Sequence, residues 1–258
     1  MKRFSSLMVQ TLLMFGLINL SFPTAWTDST ISHDAYYYPA IESVGFIRKD
    51  RVPVAGFIHS SDHNQVMMGW NHVIYIKPYP KHVFKKNDLF VAFQKVDEVF
   101  FENRSVGFHY QVKGVIKIIS QTPQFIRCVI VKSFLPIRKG DLIKTYKRIS
   151  PYIPILNDKP YIHAQIIESS ETKRMIGTGD VVFINKGHEH GVRPGIFFDI
   201  FEHHERDFEL SRRTVYTDPS KSYSSGRLLI LTTDRETAAG LIVWAKNELL
   251  MAHQLDVH

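Results

Sequence analysis

One cysteine, Cys128, is the only thiol in a chain of 258 residues. A single thiol forms no internal disulfide and builds none of the zinc sites that rest on cysteine pairs, so stability has to come from packing. Also missing are a Gly-x-Ser-x-Gly nucleophile turn and a glycine-rich phosphate loop opening a helix. Cys128 itself sits inside the apolar run 128–131, where a thiol is ordinarily inert packing. The carboxylates Asp97, Glu98 and Glu102 fall in an expected hairpin with no cleft-forming architecture around them, so paired-carboxylate catalysis is not expected there. Helical periodicity is scarce, and Ser133 to Arg138 or Glu248 to Gln254 make at most a turn of helix. These absences point away from an enzyme and imply no cofactor.

What is present begins with a leader. Lys2 and Arg3 precede the apolar stretch Leu7 to Leu20, the layout of a secretory signal peptide ending near Ala25. Its 14 residues fall short of the roughly 20 that cross a bilayer as a helix, so the expectation is cleavage and no transmembrane span afterwards. The formal net charge of +7 falls to +5 when Lys2 and Arg3 leave. The remainder is uneven: residues 54–146 carry 13 Lys/Arg against 6 Asp/Glu, and residues 162–258 carry 11 against 14. That asymmetry suits an anionic partner for the first half, or head-to-tail contact between modules. Nucleic acid is not an expected partner of an exported chain with no recognition motif.

Strand signals dominate, as short runs of Val, Ile, Phe and Tyr between Gly, Pro, Asn and Asp. These runs repeat. At an offset of 108, residues 56–61 fall on 164–169, 68–76 on 176–184 and 84–90 on 192–198. At an offset of 112, Gly114 to Ile119 matches Gly226 to Leu231, and Cys128 to Val131 matches Gly240 to Val243. One insertion of about four residues in a loop is what a repeated fold tolerates. About six short strands per copy predict a small closed or half-closed barrel, because so short a sheet is stable only when it curls to bury one face. The expected fold is therefore all-β: two tandem small barrel or half-barrel modules joined by a Pro-rich linker.

The expected organisation is a signal peptide at 1–25, an N-terminal arm at 26–53, a β module at 54–148, a linker at 149–161 and a second β module at 162–258. Three prolines between Ser150 and Pro160 stiffen the linker. The arm contains Tyr36-Tyr37-Tyr38-Pro39 without clear periodicity, and reads as a docking arm or a tail. The histidines of Gly187-His188-Glu189-His190-Gly191 and of His203-His204-Glu205 are the metal-ligand candidates, although their spacing matches no standard zinc signature. Trp70, Tyr75, Tyr79 and Trp244 are the candidate partner-binding aromatics.

The segments Gly177-Thr178-Gly179-Asp180-Val181-Val182-Phe183-Ile184, Gly191-Val192-Arg193-Pro194-Gly195 and Ile137-Arg138-Lys139-Gly140-Asp141 resemble the tandem C-terminal β repeats of exported LysM-type cell-envelope proteins of Gram-negative bacteria. They are also similar to the C-terminal module of flagellar assembly protein T. The resemblance covers about residues 54–258 and does not extend to a LysM segment. The first copy departs from it, with Trp70-Asn71-His72 where the second has a Gly-Asp turn, and Lys86-Asn87 in place of Pro194-Gly195. The resemblance implies a periplasmic or outer-membrane-associated interaction part in an envelope-spanning assembly of secretion or flagellar type. Its partners would be other envelope proteins, including copies of itself in a ring. The alternative is a peptidoglycan- or polysaccharide-associated binding protein, using the four aromatics as platforms.

Overall fold

The computed structural model describes residues 34–80, 82–157, 161–203, 224–251 and 254–257, with the backbone alone at 202–203 and 254–257. The expected signal segment 1–25, residues 26–33 of the arm, 158–160 of the linker and the connection 204–223 lie outside the described residues. The arm supplies β1 (Ala35–Tyr37), a 3-10 turn at Ile41–Ser43 and β2 (Phe46–Arg48). The first module contains β3 (Gly56–Ser61), β4 (Val73–Pro78), β5 (Leu89–Phe101), β6 (Arg104–Gln121), β7 (Ile126–Ser133) and β8 (Leu142–Thr145). Within the proline-rich segment lies β9 (Tyr152–Pro154). The second module contains β10 (Ala164–Ser169), β11 (Met175–Ile176), β12 (Val181–Ile184), β13 (Phe197–His203), β14 (Gly226–Thr233), β15 (Ala238–Ala245), β16 (Leu249–Leu250) and β17 (Gln254–Val257).

The fold is all-β, with two barrels in tandem. In the second, β10-β12-β15-β14-β13-β17 close into a ring. In the first, the equivalent strands run β3-β4-β7-β6-β5-β8, and β8 returns to β3. Alternation fixes what goes inside: Ile74 and Ile76 of β4 and Ile126, Cys128 and Ile130 of β7 point into the first core, with Ile58, Ile116 and Ile143. The second core repeats this with Val182, Ile184, Phe198, Ile200, Leu228, Ile230 and Ile242. Burying each such side chain contributes about 1.5–3 kcal/mol.

The repeat holds strand by strand. Strands β3, β4 and β5 begin 108 residues before β10, β12 and β13, and β7 begins 112 before β15. Even the ladder irregularities coincide: the register skips His59 between Ile58 and Ser60, and Ile167 between Ile166 and Glu168. A further shift of two residues precedes the closing strand, since Phe57 pairs with Leu142 while Gln165 pairs with Asp256.

Where the first copy departs from Gly-Asp, the chemistry is conserved by other atoms. The Gly177 N–H donates to Asp180 Oδ2 at 2.9 Å, and at the equivalent turn the Gly69 N–H donates to His72 Nδ1 at 3.3 Å. The left-handed position of each turn is Gly179 (φ 94°) or Asn71 (φ 65°), asparagine being one of the few residues that adopt it readily. Asn87 (φ 73°) likewise stands for Gly195 (φ 92°). Only Gly195 is also crowded: a Cβ there would lie 1.8 Å from the Pro154 carbonyl oxygen, where the proline-rich segment crosses the second barrel.

A charged pair is buried in the first barrel. Lys113 is the extra residue where β6 slips between the pairings Ala92–Gly114 and Phe93–Val112. The bulge turns it inward, and its Nζ donates to Asp141 Oδ1 at 3.2 Å with both side chains 5% exposed. Asp141 Oδ2 accepts from the Arg138 N–H at 2.7 Å.

The hairpin β5–β6 is much longer than the barrel that holds its base. Its distal half carries β2 alongside β6, with Ile47 opposite His109, and lies over the outer face of β12, β14 and β15. Ile41, Ile47, Val99 and Ile153 there pack with Val181, Phe183, Leu231 and Leu241. This explains the uninterrupted apolar run of β12: Val182 and Ile184 face the barrel interior, Val181 and Phe183 the junction. Strand β1 pairs with β9, fastening the arm to the proline-rich segment. The described residues form one compact unit.

Candidate interaction surface

A six-stranded barrel of this size fills its interior with side chains, so its outward positions are left for function. The two barrels allow those positions to be compared directly. On the second, Ile167, Val181, Phe183, Leu231, Ala239 and Leu241 point outward, and all six pack in the junction. On the first, the same six positions are His59, Val73, Tyr75, Ile119, Arg127 and Val129, and none is buried. One wall is covered and its equivalent is open.

The open wall is aromatic. Tyr79 lies 6.0 Å from Phe57, Phe57 lies 6.5 Å from His59, and His59 stacks on Phe125 at 5.0 Å, measured between ring centroids. Beside this row the Tyr75 hydroxyl donates to Asp62 Oδ1 at 2.5 Å, and Arg127 approaches the same carboxylate at 3.7 Å. Two of the four expected aromatics, Tyr75 and Tyr79, thus share one face. Trp70 projects from the Gly69–His72 turn, 71% exposed, and Trp244 lies on the second barrel opposite Arg227, 50% exposed. The structure does not gather the four into one site.

The covered wall shows what such a surface accepts. Apolar burial is bordered by directed polar ties: Thr237 Oγ1 donates to the Ile47 carbonyl at 2.7 Å, the Arg48 guanidinium meets Asp234 at 2.6 Å, and Gln111 Nε2 donates to the Ser170 carbonyl at 3.2 Å. Glu42 accepts from Tyr146 Oη and Lys132 Nζ, tying the arm to the first barrel. Next to these contacts lies a cleft of about 410 Å³ whose lining includes Glu42, Arg48, Lys144, Phe183 and Asp234. Lys144 Nζ sits 3.8 Å from the Phe46 ring centroid. Burial, followed by the Arg48 charge, pushes the Lys144 ammonium down to about 8.

At the centre of the junction His109 is 1% exposed, and neither ring nitrogen has a hydrogen-bond partner. Burial pushes its pKa down to about 4, so the ring is neutral and behaves as an aromatic. The sequence contains no signal for this: a lone histidine between Phe108 and Tyr110 reads like any strand residue. Two of the metal-ligand candidates, His188 and His190, take structural positions. His188 Nδ1 lies 2.8 Å from the Asp234 carbonyl oxygen, and His190 Nδ1 accepts from the Gly187 N–H at 3.2 Å. The His203 side chain and His204 lie outside the described residues. Among the described residues no group of three His, Cys, Asp or Glu side chains is arranged to hold a metal, and no helix is long and apolar enough to cross a membrane.

The fold and these surfaces define a two-barrel protein whose distinctive chemistry lies on its outer walls. No protein-family model matches the chain, and no curated protein matches it.

Proposed function

We propose that this chain is a non-catalytic scaffold or interaction protein of the Gram-negative cell envelope. In this reading it is periplasmic or outer-membrane-associated, and a subunit of an envelope-spanning assembly of secretion or flagellar type. The observation that carries the reading is the open wall of the first barrel, a half-exposed apolar and aromatic face at the positions the second barrel uses for a permanent protein contact. Contiguous exposed apolar surface on a folded domain marks interaction sites, and aromatic side chains with an arginine are the composition favoured at their centres. The basic leader, the charge asymmetry of the two halves and the resemblance of the repeats support the envelope setting. The alternative, a peptidoglycan- or polysaccharide-associated binding protein, is favoured by the aromatic row Tyr79-Phe57-His59-Phe125, since sugar rings stack on such platforms.

The test is an affinity pull-down of the folded chain from gently solubilised envelopes, run beside sedimentation on purified peptidoglycan sacculi. A discrete set of envelope proteins lost on Tyr75→Ala, without sacculus binding, supports the scaffold. Sacculus binding without protein partners overturns it in favour of the alternative.

A further inference from the structure

The geometry points to a binding site for a small amphiphilic monocarboxylate in the cleft between the arm and the two barrels, with the carboxylate on Lys144 Nζ. The inference does not depend on what the open wall binds.

The site follows from strand alternation. Ile143 of β8 points into the first core, so Lys144 beside it points out of the barrel, directly opposite Val91 of β5. An outward lysine ordinarily reaches water. Here the arm crosses over it, and the Phe46 ring centroid lies 3.8 Å from the ammonium, with that of Phe93 at 5.5 Å. Cation–π contact replaces part of the lost hydration. It fills none of the three N–H donors, and among the described residues Lys144 has no hydrogen bond or ion pair.

The charges around it are otherwise committed. Asp234, the carboxylate that partly offsets the Lys144 charge, is held by Arg48 at 2.6 Å. Glu42 accepts from Tyr146 Oη and Lys132 Nζ, and Lys147 is exposed. One half-buried cation without a counter-ion is left in the cleft, which suits a single negative charge and not a dianion. The rest of the lining selects the body of the ligand. Val44, Phe46, Val91 and Ile149 present apolar surface that is not buried, in a cleft of about 410 Å³. Small-molecule sites are commonly about 300–1,000 Å³, mostly apolar, with a few convergent polar groups. The lining comes from the arm, from β5 and β8 of the first barrel and from β14 of the second, so a ligand there touches all three parts.

Calorimetric titration of the full folded chain with octanoate tests this, with octanamide as the uncharged control. One octanoate per chain should bind saturably, and octanamide about tenfold or more weaker, the effect of losing a hydrogen bond between charged partners. Binding should also move a proton. The Lys144 ammonium titrates at about 8 in the free chain, and a bound carboxylate favours its charged form, so binding at pH 8 should take up to about half a proton from the buffer. At pH 6 it should take none. Two buffers of different ionisation enthalpy measure the uptake. Neither nearby titratable partner imitates it: burial and the Glu42 hydrogen bond raise Tyr146, and Glu42 is held low, its burial outweighed by the hydrogen bonds from Lys132 and Tyr146.

Lys144→Met keeps the length of the side chain and removes its charge. It should weaken octanoate about tenfold or more and leave octanamide unchanged. Lys144→Arg should bind octanoate with no proton uptake at pH 8, because a guanidinium does not titrate there. A circular-dichroism spectrum like the parent's verifies folding. Should Lys144→Met fail to fold, the parent's proton uptake and its loss in Lys144→Arg decide the matter. No saturable binding up to about 5 mM octanoate overturns the site, as does equal binding of octanoate and octanamide. Octanoate binding that survives Lys144→Met, or that takes up no proton in the parent at pH 8, lies elsewhere on the chain and overturns it too.

Discussion

The His109 ring meets the Phe183 ring edge-on, with centroids 5.1 Å apart, across the junction of the two barrels. One residue comes from the long hairpin of the first barrel and the other from the outer face of the second. A neutral imidazole fits this contact, and an imidazolium there would be a buried charge with no acceptor at either nitrogen.

Stability of the unit should therefore fall in mild acid through this residue. The folded value is about 4 against an ordinary 6.5, so between those pH values the unfolded chain binds more protons. The contribution is intact above pH 6.5 and is lost as pH drops toward 4; a shift of that size corresponds to about 3 kcal/mol. Urea unfolding of the parent and of His109→Leu at intervals from pH 4 to 7 measures it. The variant should show a flatter pH dependence, and parallel curves would rule this histidine out as the cause.

The ion pair in the first barrel should be costly to break and cheaper to remove whole. Lys113→Met leaves the Asp141 carboxylate buried without its cation, a loss of about 3–5 kcal/mol. Adding Asp141→Asn removes the stranded charge while keeping an amide oxygen to accept from the Arg138 N–H. Denaturant midpoints for the two single variants and the double should reveal a favourable coupling, the double being more stable than Lys113→Met alone.

Two equivalent turns should respond unequally to gain or loss of a side chain. Gly195→Ala meets both a left-handed backbone and the Pro154 carbonyl, and should cost more than about 2 kcal/mol. Asn87→Gly relieves a left-handed asparagine in open surroundings and should change stability by less than about 1 kcal/mol. Thermal melts of the two variants make the comparison, and similar losses in both would show that the crossing of the proline-rich segment is unimportant.

Cys128 is fully buried, and burial pushes its thiol up to about 12. An aromatic disulfide reagent at pH 8 should label the folded chain only as fast as it unfolds, and label one equivalent at once in denaturant. Rapid labelling without denaturant would mean that the barrel wall opens locally at β7.

Much of this architecture was legible because a repeat carries its own control. Two copies that agree at Ile76 and Ile184, and again at Ile130 and Ile242, identify inward positions more firmly than one alternating strand does. The strand pairs at offsets of 108 and 112 follow from that comparison. The closing strand did not, because it lies 114 residues from its counterpart, a spacing that neither offset predicts. The arm and the proline-rich segment lay outside the repeat, so β2 and β9 had no counterpart to reveal them, and three-residue strands leave no period to detect. The aromatics show the same boundary. Tyr75 was recognisable as an outward strand residue, but nothing in a linear sequence says that the equivalent Phe183 is covered by His109, and packed with Ile47, from a far earlier part of the chain.

The Ile47 carbonyl and the Thr237 hydroxyl are joined across 190 residues. The first described segment pairs with β6 and β9, but it completes its packing only on strands that follow both of them in the chain. Until β12, β14 and β15 exist, Ile41 and Ile47 lack most of the apolar surface they pack with, and the arm is not fully buried however early it emerges. Contacts of such long range make folding slow, and they make the last step a closure that ties both barrels into one cooperative unit.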